Sequence, residues 1–123
     1  LSSMNLLKEI KNSQLINKIS IVGRLLSENK GIDSLVKSVL DNNITTIILC
    51  GKDTTGHKPG HSLLCLHKNG IDQNNRIIES HSPDPIVTLS QQEISRFQNQ
   101  VSIVNQIGNV NVSDLESVVK SKE

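Results

Sequence analysis

The sequence has 123 residues, a length that suits one domain with a single modest core. Its 13 Lys and Arg residues against 12 Asp and Glu residues give a formal net charge of +1, and Phe97 is the only Phe, Trp or Tyr. Without a basic stripe or stacking aromatics, nucleic-acid binding is disfavoured. No apolar run approaches the roughly 20 residues that span a bilayer, and no signal-peptide pattern is present. We therefore expect a cytoplasmic protein, or a soluble piece of a longer one.

The predicted elements alternate between helices and strands. Apolar residues at helical spacing predict helices, and short β-branched runs predict strands. In chain order the pattern predicts a helix at 1–17, a strand at 19–23, a helix at 32–42, a strand at 45–50, a helix at 60–69, a strand at 76–80, a helix at 90–100 and a helix at 113–121. Residues 101–107 fit either a continuation of the preceding helix or a strand. This order predicts one α/β domain with a mainly parallel sheet and helices on its faces.

Two helix starts have the spacing of a capping box. In this motif the side chain of the first residue accepts from the N–H three positions later, and the acidic side chain at that later position accepts from the N–H of the first residue. Ser90 with Glu93 is the first, and Ser113 with Glu116 is the second. Both helices are therefore expected to begin at these serines.

The two cysteines do not form a Cys-x-x-Cys pair. Cys50 closes one apolar run and Cys65 lies within another. We therefore expect no disulfide framework, and both residues are interpreted as buried small hydrophobic side chains.

Two loops follow predicted strands at their carboxyl ends, where open α/β sheets bind ligands. One contains Ser27, Glu28 and Asn29, and each of these either contacts a ligand or caps the helix that follows. The other, residues 51–60 or GKDTTGHKPG, is called the glycine loop here. Its glycines let the backbone approach a bulky group, its proline suits the first turn of the next helix, and that helix offers N–H groups to an anion.

Ligand contacts in this second region are expected from Gly51, Asp53, Thr54, Thr55, Gly56, His57, Pro59, Gly60 and His61. The side chains of Asp53, Thr54 and Thr55 either bond a ligand or shape the turn. A neutral imidazole at His57 would suit a metal, with its other ring nitrogen held by a carboxylate or a carbonyl. By spacing alone a surface histidine is the favoured interpretation of His57, whereas His61 fits a residue that faces the same cleft and a first-turn capping residue equally well. A structural role is expected for His67, near a helix C-terminus, and a solvated turn for His81.

Four segments carry a resemblance to a known family. SENKGID (27–33), IILCG (47–51), GHKPGHSLLCLHKNGID (56–72) and RFQNQVSIVNQI (96–107) resemble the cytoplasmic domain of the A subunit of tetrahydromethanopterin S-methyltransferase, and similar stand-alone domains outside methanogens. The segments have the same order and nearly the same spacing as in that family. The resemblance covers roughly residues 19–112, with a helix at 1–18 before this core and a helix at 113–123 after it.

The resemblance implies a Rossmann-like domain that binds a cobamide, cobalamin or a related corrinoid. The histidine that is the family's lower ligand to cobalt falls on His57. The corrinoid of the family accepts a methyl group and passes it to a thiol, so the resemblance implies a methyl-carrier domain that works with methyltransferase partner subunits or domains. The cofactor supplies the demanding chemistry, while the protein binds and orients it.

The sequence also departs from the family pattern. Leu26 stands where the family has a cysteine, His61 where it has a glutamine, and the stretch SHSPDP (80–85) differs from the family's small-residue stretch. The family's C-terminal membrane anchor has no counterpart here, so sodium coupling is not expected. Two alternatives stay open: a zinc domain in which His57, His61 and Cys65 gather the ion, or a cofactor-free interaction domain of the same fold.

Overall fold

A parallel pair of strands organises the fold. In the computed structural model, which describes residues 4–11, 23–53 and 55–121, strand β1 (Thr46–Gly51) pairs with strand β2 (Ser102–Ile107). Thr46 lies opposite Ser102 and Gly51 opposite Ile107. The predicted α/β fold with a parallel sheet is confirmed, and the architecture is Rossmann-like.

Five helices of the described chain accompany the sheet. They are α1 (Met4–Lys11), α2 (Lys30–Asp41), α3 (Pro59–Asn69), α4 (Gln91–Gln100) and α5 (Val112–Ser121). Each overlaps a predicted helix. The remainder of the first predicted helix, 12–17, and residues 19–22 of the first predicted strand lie outside the described residues. No helix in the described part of the chain is long and apolar enough to cross a membrane.

Alternate side chains of β1 pack into two separate hydrophobic clusters. Ile47 and Leu49 pack into the cluster formed with α2, α3 and α4, in which Phe97 is fully buried. Ile48 and Cys50 pack instead against the cluster of α1 and α5. Because successive strand residues point to opposite faces, a run that is apolar at every position places the sheet between two helical layers.

The ambiguous segment 101–107 is a strand because α4 ends just before it. The N–H of Val101 donates to the carbonyl of Phe97, and Val101 itself is extended, with φ −112° and ψ 133°. The chain therefore leaves the helix at Val101 and pairs with β1 from Ser102 onward.

The predicted strand at 76–80 is wrong. Arg76 and Ile77 form only isolated antiparallel bridges, with Ile86 and Ile71 respectively. Left-handed backbone at Asn75 (φ 62°) and Glu79 (φ 66°) turns the chain on both sides of this short stretch. A strand cannot extend through such residues, because they leave the extended region that strand pairing requires.

The two predicted capping boxes have different outcomes. That of α4 is confirmed: the Ser90 hydroxyl accepts from the Glu93 N–H at 3.1 Å, and the Glu93 carboxylate accepts from the Ser90 N–H at 2.9 Å. Helix α5 instead begins at Val112, and the Asn111 side chain accepts from the N–H of Asp114 at 3.2 Å. The prediction of Ser113 as the cap is wrong, since Asn111 supplies the capping oxygen from a position nearer the N-terminus.

We expect Ser90→Ala to lower the free energy of unfolding by about 1 kcal/mol, because one N–H at the start of α4 loses its acceptor. Urea denaturation followed by circular dichroism measures the change. Ser95→Ala is the matched control, since it removes the same hydroxyl from an exposed position within α4. Alanine favours helices, so the control should be as stable as the parent chain. Equal stability of the two variants would contradict a role for the cap.

Candidate functional site

The glycine loop, residues 27–29 and the segment 80–85 meet at the carboxyl end of the sheet. An open groove of about 350 Å³ runs there, lined by Asp53, Thr55, Lys58, His61, His81 and Ile107. Its volume is within the range of roughly 300–1,000 Å³ that is usual for small-molecule sites. Its position is the one expected for ligands of open α/β sheets.

His57 lies beside Glu28 at this edge. Its Nδ1 is 3.3 Å from Oε1 of Glu28, and the side chains are 61% and 3% exposed, respectively. Nδ1 donates to the carboxylate, which leaves Nε2 of a neutral ring as an exposed acceptor. No polar atom of the described residues pairs with this Nε2. The arrangement is the one in which proteins present an imidazole to a metal, with a carboxylate on the other ring nitrogen.

The environment keeps Glu28 ionised. Burial raises the pKa of this carboxyl, but hydrogen bonds from its own N–H, from His57 and from the N–H of Asp84 outweigh burial and set the pKa below its ordinary value. The Asp84 N–H donates to the same Oε1 at 3.2 Å. A buried anion that accepts from two other residues is therefore held against the imidazole.

Asp53 caps helix α3. Its two carboxylate oxygens accept from the N–H groups of Gly60 and His61, each at 3.0 Å. The helix N-terminus that we expected to offer these N–H groups to a ligand is therefore occupied by this side chain. Lys58 precedes the helix in left-handed backbone (φ 45°) without capping it, so Asp53 supplies the anionic cap that the helix dipole favours.

The other residues of the glycine loop have distinct positions. Gly56 has φ +87°, which a side chain would strain, and faces open space. Thr55 is exposed beside it, and Thr54 lies outside the described residues. Pro59 is the first residue of α3, as predicted. Gly51 (φ 78°), which ends β1, and Gly60 are buried.

Two of the three polar residues before α2 are caps. The Asn29 side chain accepts from the Lys30 N–H at 2.6 Å, and the Ser27 hydroxyl accepts from the Gly31 N–H at 2.7 Å. The Asn29 amide also donates to the carbonyl and the carboxylate of Asp84, at 3.2 and 3.1 Å. Of the three, only Glu28 contacts the candidate metal ligand.

His61 and His81 form a second cluster that continues the groove along α3. Their ring centroids are 5.0 Å apart, and Nε2 of His61 accepts from the N–H of His81 at 3.2 Å. Sγ of Cys65 lies 3.7 Å from the same nitrogen. Burial raises the pKa of the Cys65 thiol, and the charge of Glu79 raises it further, so this cysteine is a neutral thiol. His81 thus lies next to the groove as well as in a turn.

His67 has the structural role expected of it. Its Nε2 is 2.6 Å from the carbonyl of Val101, and its ring packs edge-on against Phe97 at 5.3 Å. Within the described ranges, no three His, Cys, Asp or Glu side chains are grouped so that they could hold a metal ion. The zinc centre of His57, His61 and Cys65 is therefore not assembled in this structure.

The sequence analysis missed the three serines that lie under the glycine loop, Ser62, Ser80 and Ser82. Ser62 and Ser82 are buried, and their hydroxyl oxygens are 2.5 Å apart. The hydroxyl of Ser62 also lies 2.6 Å from that of Ser80. Ser82 donates to the carbonyl of His57. Small hydroxyl residues are common in loops, so only the packing of 80–85 against α3 distinguishes these three.

The sequence was also compared with known proteins. Residues 3–123 match the family formed by the A subunit of tetrahydromethanopterin S-methyltransferase. The chain belongs to this family. Its relatives within the family include the protein named as this subunit in Methanosphaera stadtmanae, 39% identical over 103 residues, which are 81% of this chain and 41% of the relative.

Other relatives are named as the corresponding subunit of a methyltransferase called Mtx. The protein from Methanosarcina barkeri is 37% identical over 100 residues, 80% of this chain and 51% of its own length. That from Methanosarcina mazei is 36% identical over 103 residues, 82% of this chain and 60% of its own length. The chain therefore spans about half the length of the curated relatives that it matches.

We expect Glu28→Gln to destabilise the chain at neutral pH by roughly 1–2 kcal/mol, because two donors lose a charged acceptor. The pKa of Glu28 is lowered by folding, so its contribution is fully present above the ordinary pKa and is lost as the pH falls through the lowered value. The two proteins should therefore converge in acid.

Urea denaturation at a series of pH values measures this difference in unfolding free energy. Glu9→Gln, at an exposed position of α1, removes the same charge without these contacts and should leave stability unchanged at every pH. A difference between Glu28→Gln and the parent chain that stays constant down to about pH 3, below the ordinary pKa of a carboxyl, would contradict the assignment.

Proposed function

We propose that this chain is a corrinoid-binding methyl-carrier domain in which His57 is the axial ligand to cobalt. The observation that carries the proposal is the His57–Glu28 pair, with an exposed His57 side chain in the loop whose Asp53, Thr55 and Lys58 line a groove at the carboxyl end of the sheet. Membership in a family named for a component of a methyltransferase supports the reaction class.

The donor set supports a cofactor that brings most of its own ligands. A bare zinc ion in a structural site needs about four protein ligands, whereas a corrinoid surrounds cobalt with ring nitrogens and needs a single axial donor from the protein. Among the described residues, His57 presents an exposed imidazole whose Nδ1 is held by a carboxylate, and no three His, Cys, Asp or Glu side chains are grouped so that they could hold a metal ion. The residues present therefore fit a corrinoid.

When bound, a corrinoid supplies a cobalt centre that can accept a methyl group and pass it to an acceptor such as a thiol. The chain's own contribution is to aim Nε2 of His57 and to keep its lone pair available. Glu28 performs the second task, because a carboxylate that accepts from Nδ1 favours the tautomer with the ring proton there and the lone pair on Nε2. The glycine loop keeps bulky side chains away from the imidazole, since Gly56 is exposed and open.

The groove gives the proposed cofactor polar contacts beyond the metal. Lys58, His61 and His81 line it with N–H donors, and Ile107 adds an apolar wall at the end of β2. Asp53 also borders the groove, but its carboxylate is engaged in capping α3. We assign contacts with the amide rim of the corrinoid to Lys58, Thr55 and His61.

A complete methyl transfer needs protein parts that bind the methyl donor and the acceptor. We propose that these are methyltransferase partner subunits or domains, because the chain spans about half the length of its relatives and their names describe subunits. The cytoplasm is the proposed location, since reduced cobalt chemistry and thiol acceptors both require a reducing compartment.

Titration of the full chain with aquacobalamin, followed by visible absorption, tests the proposal. We expect about one equivalent to bind and the spectrum to show replacement of the cofactor's own lower base by an imidazole of the protein. In His57→Ala the imidazole spectrum should be lost and the affinity should fall at least about tenfold, because a metal–ligand bond is removed.

Free imidazole is the control for His57→Ala. Added imidazole should restore the ligand spectrum of the variant if the cavity left by the side chain opens toward the metal. Because His57 is exposed, the variant should remain folded by circular dichroism. A parent chain that binds no cobalamin, or a spectrum that is identical in His57→Ala, would sink the proposal.

A further inference from the structure

The segment 80–85 holds His57 at both ends. At the side chain, the Asp84 N–H donates to the Glu28 oxygen that contacts Nδ1, so this segment fixes the carboxylate behind the ring. At the main chain, the Ser82 hydroxyl donates to the carbonyl of His57 and lies 3.2 Å from that of Lys58. Segment 80–85 thus contacts the main chain of His57 directly and its side chain by way of Glu28.

The hydrogen bonds among the serines have one consistent direction. The N–H of Ser82 donates to the Ser80 hydroxyl at 3.1 Å. Because each hydroxyl has a single proton and that of Ser82 goes to His57, the contacts require Ser80 to donate to Ser62 and Ser62 to donate to Ser82. Of the three serines, Ser82 is therefore the one whose hydroxyl proton reaches the glycine loop.

The final bond has no substitute in the described structure. Ser82 is 3% exposed, so water has little access to the His57 carbonyl from that side. No second hydrogen bond from the described residues reaches this carbonyl, whereas the Lys58 carbonyl also accepts from the N–H of Ser62. Loss of the Ser82 hydroxyl therefore leaves the main chain of His57 without its anchor.

We propose that Ser82 is a positioning residue for His57, which fixes the main chain of the loop so that Nε2 is aimed before a ligand arrives. The role of Ser82 in cofactor binding rests on the proposed function. The hydrogen bond from Ser82 to His57, in contrast, is present in the chain without a cofactor. If the loop of an unanchored chain holds the binding position only about a tenth of the time, the apparent affinity falls about tenfold.

Ser82→Ala tests the inference, with Ser80→Ala as its matched control. Both variants remove one hydroxyl from the same serine cluster, but Ser80 has no contact with His57 or Lys58. We expect cobalamin to bind Ser82→Ala about tenfold more weakly and the fraction with bound imidazole to fall, while Ser80→Ala stays within about twofold of the parent chain. Equal affinities in the two variants, whether both fall or neither does, would overturn the inference.

A second measurement needs no cofactor. Backbone order parameters from NMR should fall for residues 56–58 in Ser82→Ala, from values near about 0.85 that are usual for rigid backbone toward about 0.6 or below. They should stay near the parent values in Ser80→Ala. Unchanged order parameters in Ser82→Ala would overturn the inference even if affinity fell. A parent chain with no His57-dependent spectrum would instead contradict the proposed function. The order parameters would then decide alone whether Ser82 holds the main chain of His57.

Ser82→Cys covers the case in which Ser82→Ala does not fold. The thiol puts a larger atom in the place of the hydroxyl and is a weak donor, so affinity and order parameters should lie between those of the parent chain and the values expected for alanine. Parent-like values in a folded Ser82→Cys would count against the hydroxyl as the anchor.

Discussion

The parallel pairing of β1 with β2 determines where every other part of this molecule lies. Because the two strands run in the same direction, both end at the same edge, and the glycine loop leaves from that edge at Gly51. Their alternating side chains separate two apolar clusters, one with α2, α3 and α4 and one with α1 and α5. The glycine loop, which carries His57, therefore starts at a point that the sheet sets.

Most polar side chains near His57 already have a structural partner. Asp53 caps α3, Ser27 and Asn29 cap α2, and Ser82 holds the loop backbone. Buried polar groups are costly unless they are paired, and pairing them in this way makes the loop rigid. His57 differs from these groups, because its side chain is 61% exposed while its Nδ1 is held by the carboxylate of Glu28. Nε2 of His57 is therefore the candidate ligand atom of the site.

Membership in the methyltransferase family and the His57–Glu28 pair are two separate grounds for the proposed function. The family is that of a subunit of a methyltransferase, and the pair is the arrangement on which we base the proposed corrinoid site. The departures at His61 and in the segment 80–85 lie in the groove wall and in the anchor of the loop, respectively. They therefore alter how the site is held and lined while leaving the imidazole itself in place.

The sequence by itself determined the helices, the strand at 45–50 and the capping box at Ser90, because these depend on periodicity and on contacts within a few residues. It also singled out the glycine loop and His57, through glycine spacing and the family resemblance. Only the tertiary structure decided that 101–107 is a strand, since that choice depends on pairing with Thr46–Gly51, a distant part of the chain. It also decided that Glu28, and neither Ser27 nor Asn29, contacts His57, and that Asp53 occupies the helix N-terminus. The contact of Ser82 could not be predicted from the sequence for the same reason, since its partner His57 is 25 residues away. Nothing in the neighbouring residues distinguishes a serine that bonds a distant loop from one that faces water.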